Sequence, residues 1–134
     1  MTDLVFFYGT LMTGFKRAGR SRIDSMLTPV GRGSINAALF DLGIYPAAIP
    51  SLDQRVIGEV HRMSDVDAVL AGLDEIEGYR PDQPDTSLYT RVETAVTLDE
   101  GRVAPAWVYF YNAPLGRAQR IESGDYLQHL KVTP

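Results

Sequence analysis

The chain has 134 residues, a formal net charge of −4 and no cysteine. Its length is near the commonest size of a domain, so we expect one domain over residues 1–134, and the lack of cysteine excludes disulfide scaffolds, thiolate nucleophiles and cysteine-ligated metals. No apolar run approaches the roughly 18 residues of a membrane helix and no signal peptide precedes Leu4, so the sequence predicts a cytoplasmic protein, while its acidic balance argues against nucleic acid as the main partner.

The first element is an apolar and aromatic run from Leu4 to Tyr8, which predicts a strand buried on both faces. Gly9 has no Cβ and can take positive φ, so the chain can turn there and direct the next backbone N–H groups toward one point, where they could hold an anion. Residues 14–22 then carry four cations in nine positions. We interpret this pair as a strand followed by a ligand loop; solvated surface charges and nucleic-acid binding are the alternatives.

The following segment predicts a short helix and two strands. Residues 21–27 are suited to a helix that Pro29 stops, and residues 30–42 are typical of a strand. Residues 43–52 contain a glycine and two prolines, which indicates a loop with at most one short edge strand. Alternating residues over 55–63 predict another strand.

One amphipathic helix is predicted over residues 65–77. Ser64 followed by Asp67 resembles a capping box at its start, and Gly78 is suited to end it.

A loop, a hairpin and a closing helix follow. Residues 79–87 have the composition of a loop, and alternating residues over 89–98 predict a strand that a turn at 99–101 connects to a partner over 106–111. Apolar residues over 121–130 predict a short helix. Five or six strands with one well-defined helix indicate an α+β fold with a closed or strongly curved sheet.

Glu77 interrupts the amphipathic pattern of the predicted helix. At about 100° per residue it falls in the middle of the apolar face, whereas Asp74 points away. A buried carboxylate is costly unless it is paired or functional, and burial would raise its pKa toward the range of a general base. Because Glu77 is also the last residue of the helix, exposure to solvent or pairing with Arg80, Arg91 or the cations of residues 14–22 is an alternative.

Other chemistries find less support. The two histidines, His61 and His129, are far apart and lack the spacing of metal ligands on a helix, so no metal site is predicted. The chain lacks the Gly-x-Ser-x-Gly signature of serine hydrolases. Aromatic residues within 107–111 could line a pocket, but at strand spacing they are more often part of a core.

Several short motifs occur in order along the chain. They are Tyr8-Gly9-Thr10-Leu11, Asp41-Leu42-Gly43 with Tyr45-Pro46-Ala47, Ile57-Gly58-Glu59-Val60, Leu73-Asp74-Glu75-Ile76-Glu77, Tyr89-Thr90-Arg91 and Ser123-Gly124-Asp125-Tyr126. In this order and spacing the chain resembles the gamma-glutamylcyclotransferase superfamily, specifically its AIG2-like and gamma-glutamylamine-cyclotransferase-like branch, over essentially its whole length.

The resemblance implies a small, closed or strongly curved mixed β-barrel flanked by helices, and an enzyme that needs no metal or cofactor. Such an enzyme cyclises a gamma-glutamyl group to 5-oxoproline and releases an amine or amino acid. The family's catalytic glutamate maps onto Glu77, and Tyr89 matches a tyrosine near the pocket of relatives. The family's glycine loop, which holds the glutamyl group through backbone N–H groups, maps onto Tyr8, Gly9, Thr10 and Leu11.

The competing interpretation is a non-catalytic module that binds a small anionic metabolite on the same fold, since proteins can share a fold without sharing an activity. Retention of Glu77 on the apolar face favours the enzyme, because a mere binder of an anion gains little from a nearby carboxylate. The expected partner is a small gamma-glutamyl compound, with no nucleic acid and no membrane; the leaving amine and the oligomeric state stay open at this point.

Overall fold

A closed mixed β-barrel of five strands lies at the centre of the computed structural model, which describes residues 2–15 and 17–132. The barrel strands are β1 (Leu4–Phe7), β2 (Leu27–Asp41), β3 (Pro46–Met63), β4 (Tyr89–Leu98) and β5 (Val103–Tyr111). A sixth, short strand, β6 (Gln119–Arg120), pairs with β2 outside the barrel, and the helices are α1 (Val66–Glu77) and α2 (Tyr126–Val132). The barrel order is β3-β1-β5-β4-β2, and pairing of β2 with β3 closes it. This is the predicted α+β barrel flanked by helices.

The first strand is buried as its sequence predicts. All four residues of β1 are buried, because β3 pairs with it antiparallel on one side and β5 pairs with it parallel on the other. The chain then leaves the sheet, and the N–H of Met12 donates to the carbonyl of Gly9 at 3.0 Å. The segment after β1 therefore turns at one end of the barrel.

The loop predicted over residues 43–52, with at most one short edge strand, is found only at residues 43–45. β3 begins at Pro46 and continues to Met63, and it pairs with β2 on both sides of residues 51–54, which have no partner on β2. Pro50 is tolerated because the pairing changes register there, between Asn36 and Ala37 on β2, and such an irregularity accommodates a residue that has no N–H to donate. The connection between the strands is short, with the N–H of Leu42 donating to the carbonyl of Tyr45 at 3.1 Å.

The short helix predicted over residues 21–27 is wrong. Two 3₁₀ turns, Arg20–Arg22 and Asp24–Met26, replace it, and β2 begins at Leu27. Ile23 is buried between the two turns. A left-handed backbone at Gly19, with φ of 86°, starts this segment, so the chain follows the packing of Ile23 and not a continuous helical pattern.

The helix α1 begins and ends at specific capping residues. Asp65, and not Ser64, is the N-cap, and its side chain accepts from the N–H of Ala68 at 3.1 Å. At the other end Gly78 takes φ of 70°, and the N–H of Tyr79 donates to the carbonyl of Asp74 at 2.8 Å. That bond is typical of a Schellman ending, so the C-terminus of α1 has a defined geometry.

A loop of residues 79–88 connects α1 to β4, and hydrogen bonds close it at its base. The N–H of Leu88 donates to the carbonyl of Gly78 at 3.1 Å, and the N–H of Arg80 donates to Oγ of the buried Ser87 at 2.8 Å. Residues 80–86 at its tip are exposed. Among the described residues, no helix is long and apolar enough to cross a membrane.

Candidate active site

A pocket opens where β1 ends and α1 ends. It contains about 350 Å³ of empty space, part of which is open to solvent. All six residues that the sequence singled out line this pocket, namely Tyr8, Gly9, Thr10, Leu11, Glu77 and Tyr89. The other lining residues are Phe6, Phe7, Arg17, Tyr45, Pro46 and Tyr109.

The turn after β1 presents free backbone donors to the pocket. The N–H groups of Gly9, Thr10 and Leu11 donate to no acceptor in the described part of the chain. Gly9 does not take positive φ, contrary to the reason expected for a glycine here. Close packing requires a glycine at position 9 instead, because a Cβ there would lie 2.7 Å from Cγ of Pro46. The lack of a side chain therefore allows the turn to pack against Pro46 where both line the pocket.

Glu77 lies on the buried face of α1, as the helical periodicity indicates. It is 8% exposed, although it is the last residue of the helix. Burial raises the pKa of its carboxyl from 4.5 to about 7, and the positive charge of Arg17 opposes that rise. The result is a carboxylate that exchanges a proton near neutral pH, as a general acid or base requires.

Arg17 is the cation closest to Glu77 among the described residues. Its Nη1 lies 3.9 Å from Oε1 of Glu77 and donates to Oγ1 of Thr10 at 2.6 Å. Nη2 donates to the carbonyl of Ile76 at 3.3 Å, and the guanidinium lies 5.5 Å from the centre of the Tyr45 ring. The sequence indicated a cation cluster over residues 14–22 but did not distinguish Arg17, since no periodicity operates in a loop.

Three tyrosines form the inner wall of the pocket, namely Tyr8, Tyr89 and Tyr109. The hydroxyl of Tyr8 donates to the carbonyl of Tyr109 at 2.6 Å, and that of Tyr89 donates to the carbonyl of Pro46 at 3.1 Å. Burial raises the pKa of all three hydroxyls, and the charge of Glu77 raises each further. The tyrosines are therefore neutral hydrogen-bonding groups at physiological pH and not bases.

Asp74 is buried, although the periodicity predicts that it points away. Its carboxylate accepts from Nε and Nη2 of Arg91 at 2.9 and 3.2 Å and from the hydroxyl of Tyr109 at 2.6 Å. At about 80° around the helix from Val66, which lies on the apolar face, a side chain is near enough to the sheet to meet a partner there. Because Arg91 forms its ion pair with Asp74, the ion-pair partner of Glu77 among the described residues is Arg17.

Comparison with known proteins gives a consistent result. Residues 5–128 match the family model described as gamma-glutamyl cyclotransferase, AIG2-like. The chain is 35% identical over 129 residues to the gamma-glutamylcyclotransferase family protein YtfP of Escherichia coli strain K12, covering 95% of this chain and 98% of that protein.

Solved structures share the fold. The solution structure of ytfP from Escherichia coli matches with a TM-score of 0.66 and 33% identity, over 94% of this chain and 97% of that one. The crystal structure of YkqA from Bacillus subtilis matches with a TM-score of 0.74 and 23% identity, over 99% of this chain and 42% of that one, and so bears on the fold alone. The chain therefore belongs to the gamma-glutamyl cyclotransferase, AIG2-like family of enzymes.

Proposed function

We propose that this protein cyclises the gamma-glutamyl group of a small amine or peptide conjugate, giving 5-oxoproline and a free amine, with Glu77 as the general acid and base. The observation that carries the proposal is the position of Glu77. A buried carboxylate with a pKa of about 7 lines the same pocket as the free backbone N–H groups of Gly9, Thr10 and Leu11.

The proposed reaction needs no protein nucleophile. The α-amine of the substrate attacks its own γ-carbonyl carbon, the new C–N bond closes the five-membered ring, and the bond to the leaving nitrogen breaks. A pocket that holds the glutamyl chain in a curled conformation supplies the proximity on which such an intramolecular step depends. Glu77 takes one proton from the α-ammonium group and delivers it to the leaving nitrogen as the C–N bond breaks. The ring nitrogen then loses its second proton to the released amine, which departs as an ammonium ion, so no water is consumed.

The turn after β1 is suited to bind the negatively charged groups of the substrate. Backbone N–H groups with no acceptor in the described chain are suited to the α-carboxylate of the glutamyl group or to the oxyanion that forms at the γ-carbonyl. The neutral hydroxyls of Tyr8 and Tyr89 contribute shape and hydrogen bonds without competing with Glu77 for the proton.

The test compares the purified protein with Glu77→Gln on gamma-glutamyl dipeptides, gamma-glutamyl amines, ε-(gamma-glutamyl)-lysine and glutathione, with 5-oxoproline as the readout. We expect the wild type to release it and the variant to lose at least about 100-fold in kcat/KM, the range of general acid–base catalysis. Asp67→Asn is the matched control, because Asp67 is an exposed carboxylate on the same helix that does not line the pocket. Circular dichroism checks that each variant is folded.

Two outcomes would contradict the proposal. Absence of 5-oxoproline from every substrate would favour a module that only binds a small anionic metabolite. Equal rates for the wild type and a folded Glu77→Gln variant would exclude Glu77 as the acid and base.

A further inference from the structure

Arg17 lies at the mouth of the pocket and connects it to a second opening. Its side chain is 23% exposed, compared with 8% for Glu77. It lines both the pocket and an adjacent outer groove, which we define as the space between residues 17–23 and the face of α1 that carries Gly72, Glu75 and Ile76. This outer groove contains about 770 Å³ of open space, so a group that leaves the pocket past Arg17 has room.

Close packing against α1 builds the outer groove. A Cβ on Gly72 would lie 3.0 Å from Cγ2 of Ile23, and a Cβ on Gly19 would lie 3.0 Å from Cγ1 of Ile76. Two glycines therefore let residues 19–23 approach the helix closely. The walls of the groove are apolar at Ile23 and Ile76. Charged side chains also line it, namely Arg17 at the end next to the pocket, Arg22 and Glu75.

The guanidinium of Arg17 is held in place but keeps donors for a ligand. It has two acceptors, Oγ1 of Thr10 and the carbonyl of Ile76. An arginine has five N–H donors, and the remaining ones of Arg17 meet no acceptor in the described part of the chain. At 3.9 Å, its contact with Glu77 is an ion pair without a hydrogen bond.

The depth of the groups in the pocket orients the substrate. Glu77 and the free N–H groups of the turn after β1 lie with the inner tyrosines, so the glutamyl group must enter first for the reaction to occur. The leaving group then extends outward past Arg17. A carboxylate there would be repelled by Glu77 if Arg17 were absent, whereas a guanidinium with free donors binds a carboxylate in a charge-assisted hydrogen bond.

We infer that Arg17 binds the carboxylate of the leaving amino acid and that the outer groove accommodates its side chain. The preferred substrates are then gamma-glutamyl amino acids, over gamma-glutamyl amines that carry no carboxylate. The inference rests on the proposed function: the bonds made and broken are the same, and the leaving amino acid departs with its carboxylate intact.

The test uses two substrates that differ only in this carboxylate, gamma-glutamylalanine and gamma-glutamylethylamine. We expect the wild type to favour gamma-glutamylalanine in kcat/KM by about tenfold to a hundredfold, the range of a hydrogen bond to a charged group. Arg17→Gln removes most of that preference. Any effect of Arg17 on Glu77 changes kcat/KM by the same factor for both substrates. The ratio of the two kcat/KM values therefore reports only the interaction of Arg17 with the leaving group.

Two further variants serve as controls. Arg102→Gln removes one positive charge from the turn between β4 and β5, where Arg102 pairs with Glu100, and should leave the ratio unchanged. Arg17→Lys keeps the charge and should retain part of the preference, which also covers the case in which Arg17→Gln fails to fold.

The outcomes separate this inference from the proposed function. An equal loss for both substrates in Arg17→Gln would overturn the inference, because Arg17 would then act on Glu77 or the glutamyl group alone. Absence of product from all substrates would refute the proposed function. In that case calorimetry measures the Kd values of gamma-glutamylalanine and gamma-glutamylethylamine with the Glu77→Gln variant. Tighter binding of gamma-glutamylalanine would support the inference, and equal Kd values would overturn it as well.

Discussion

The titration of Glu77 links the candidate chemistry to stability. Its pKa is about 7 in the folded protein because burial penalises the charged form, and it returns to the ordinary value near 4.5 when the chain unfolds. Between about pH 4.5 and pH 7 the folded state therefore binds more protons than the unfolded state. Stability is reduced as pH rises through this window, and the full cost is present above pH 7.

We expect Glu77→Gln to be more stable than the wild type at pH 8 and nearly equal to it below pH 4.5. The neutral amide does not pay the desolvation cost of the carboxylate, which is at most about 3 kcal/mol for this shift in pKa. Urea unfolding of both proteins from pH 4 to pH 8 measures the difference. A difference that is constant with pH would show that the carboxyl of Glu77 titrates alike in both states.

Single residues differ in how far the sequence alone could identify them. Glu77 was identifiable because one carboxylate stands within a regular apolar pattern, and a helix converts spacing into direction. Arg17 was not, because the direction of a loop side chain depends on tertiary contacts with Thr10 and Ile76. Asp74 was placed incorrectly because its burial depends on Arg91, which comes from another element.

The position of Glu77 depends on how α1 is fixed to the barrel. Asp74 lies one turn before Glu77 and joins the helix to β4 and β5 through Arg91 and Tyr109. Arg91 also packs over the ring of Trp107, with its guanidinium carbon 4.9 Å from the ring centre. These contacts and the Schellman ending at Gly78 orient the last turn of α1.

Substitution of Asp74 should therefore weaken both stability and catalysis. In Asp74→Asn the guanidinium of Arg91 loses its ion pair while it stays mostly buried, and we expect a loss of about 2 to 3 kcal/mol in the free energy of unfolding. Chemical denaturation checks the value, with Glu75→Gln as the exposed control on the same helix. Equal midpoints for the two variants would mean that the ion pair contributes little.

The secondary structure elements were predicted well where their pattern is local. The periodicity located α1 and β4 almost to the residue, because each presents one regular face to the core. The extension of β3 back to Pro46 was missed, since two prolines indicate a loop unless a partner strand with a register change is known. The segment over residues 20–26 was missed because Ile23 packs beside Gly72, which is distant in sequence.

Closure of the barrel requires the strands to approach very closely at one point. Gly58 on β3 lies against β1, and a Cβ there would be 2.2 Å from the carbonyl oxygen of Phe7 and 2.7 Å from Cζ of Phe6. The first contact is with backbone, which cannot rotate away as a side chain can. The position of β1, and with it the turn that follows, depends on this glycine.

Gly58→Ala should destabilise the protein by about 4 kcal/mol or more, the range of severe core changes, or prevent folding. Gly101→Ala is the matched control: Gly101 has φ of 100° but no atom within 4 Å of the added methyl group, so only backbone strain of about 1 to 2 kcal/mol applies. Thermal unfolding of both variants provides the comparison. A small and equal loss in the two would show that β1 can move away from β3.

The barrel as a whole was predicted from the resemblance more than from local patterns. Composition and strand count indicated an α+β fold with a curved sheet, but pairing of β1 with β5 joins Val5 to Trp107, and no local pattern encodes such a contact. The same is true of the pocket, which combines residues from Phe6 to Tyr109 that are distant in sequence. The order and spacing of the motifs predicted the barrel and the pocket because they identify a family whose fold already includes these long-range contacts. Local sequence patterns do not specify such contacts.

The closed base of the loop over residues 79–88 has a consequence for how this enzyme family can diversify. The bond from Leu88 to Gly78 fixes the two ends of the loop next to Glu77 and Tyr89, while residues 80–86 face solvent. Insertions or deletions at the exposed tip are therefore tolerated without displacing either residue. The length and charge of this tip can therefore change while the proposed site keeps its geometry.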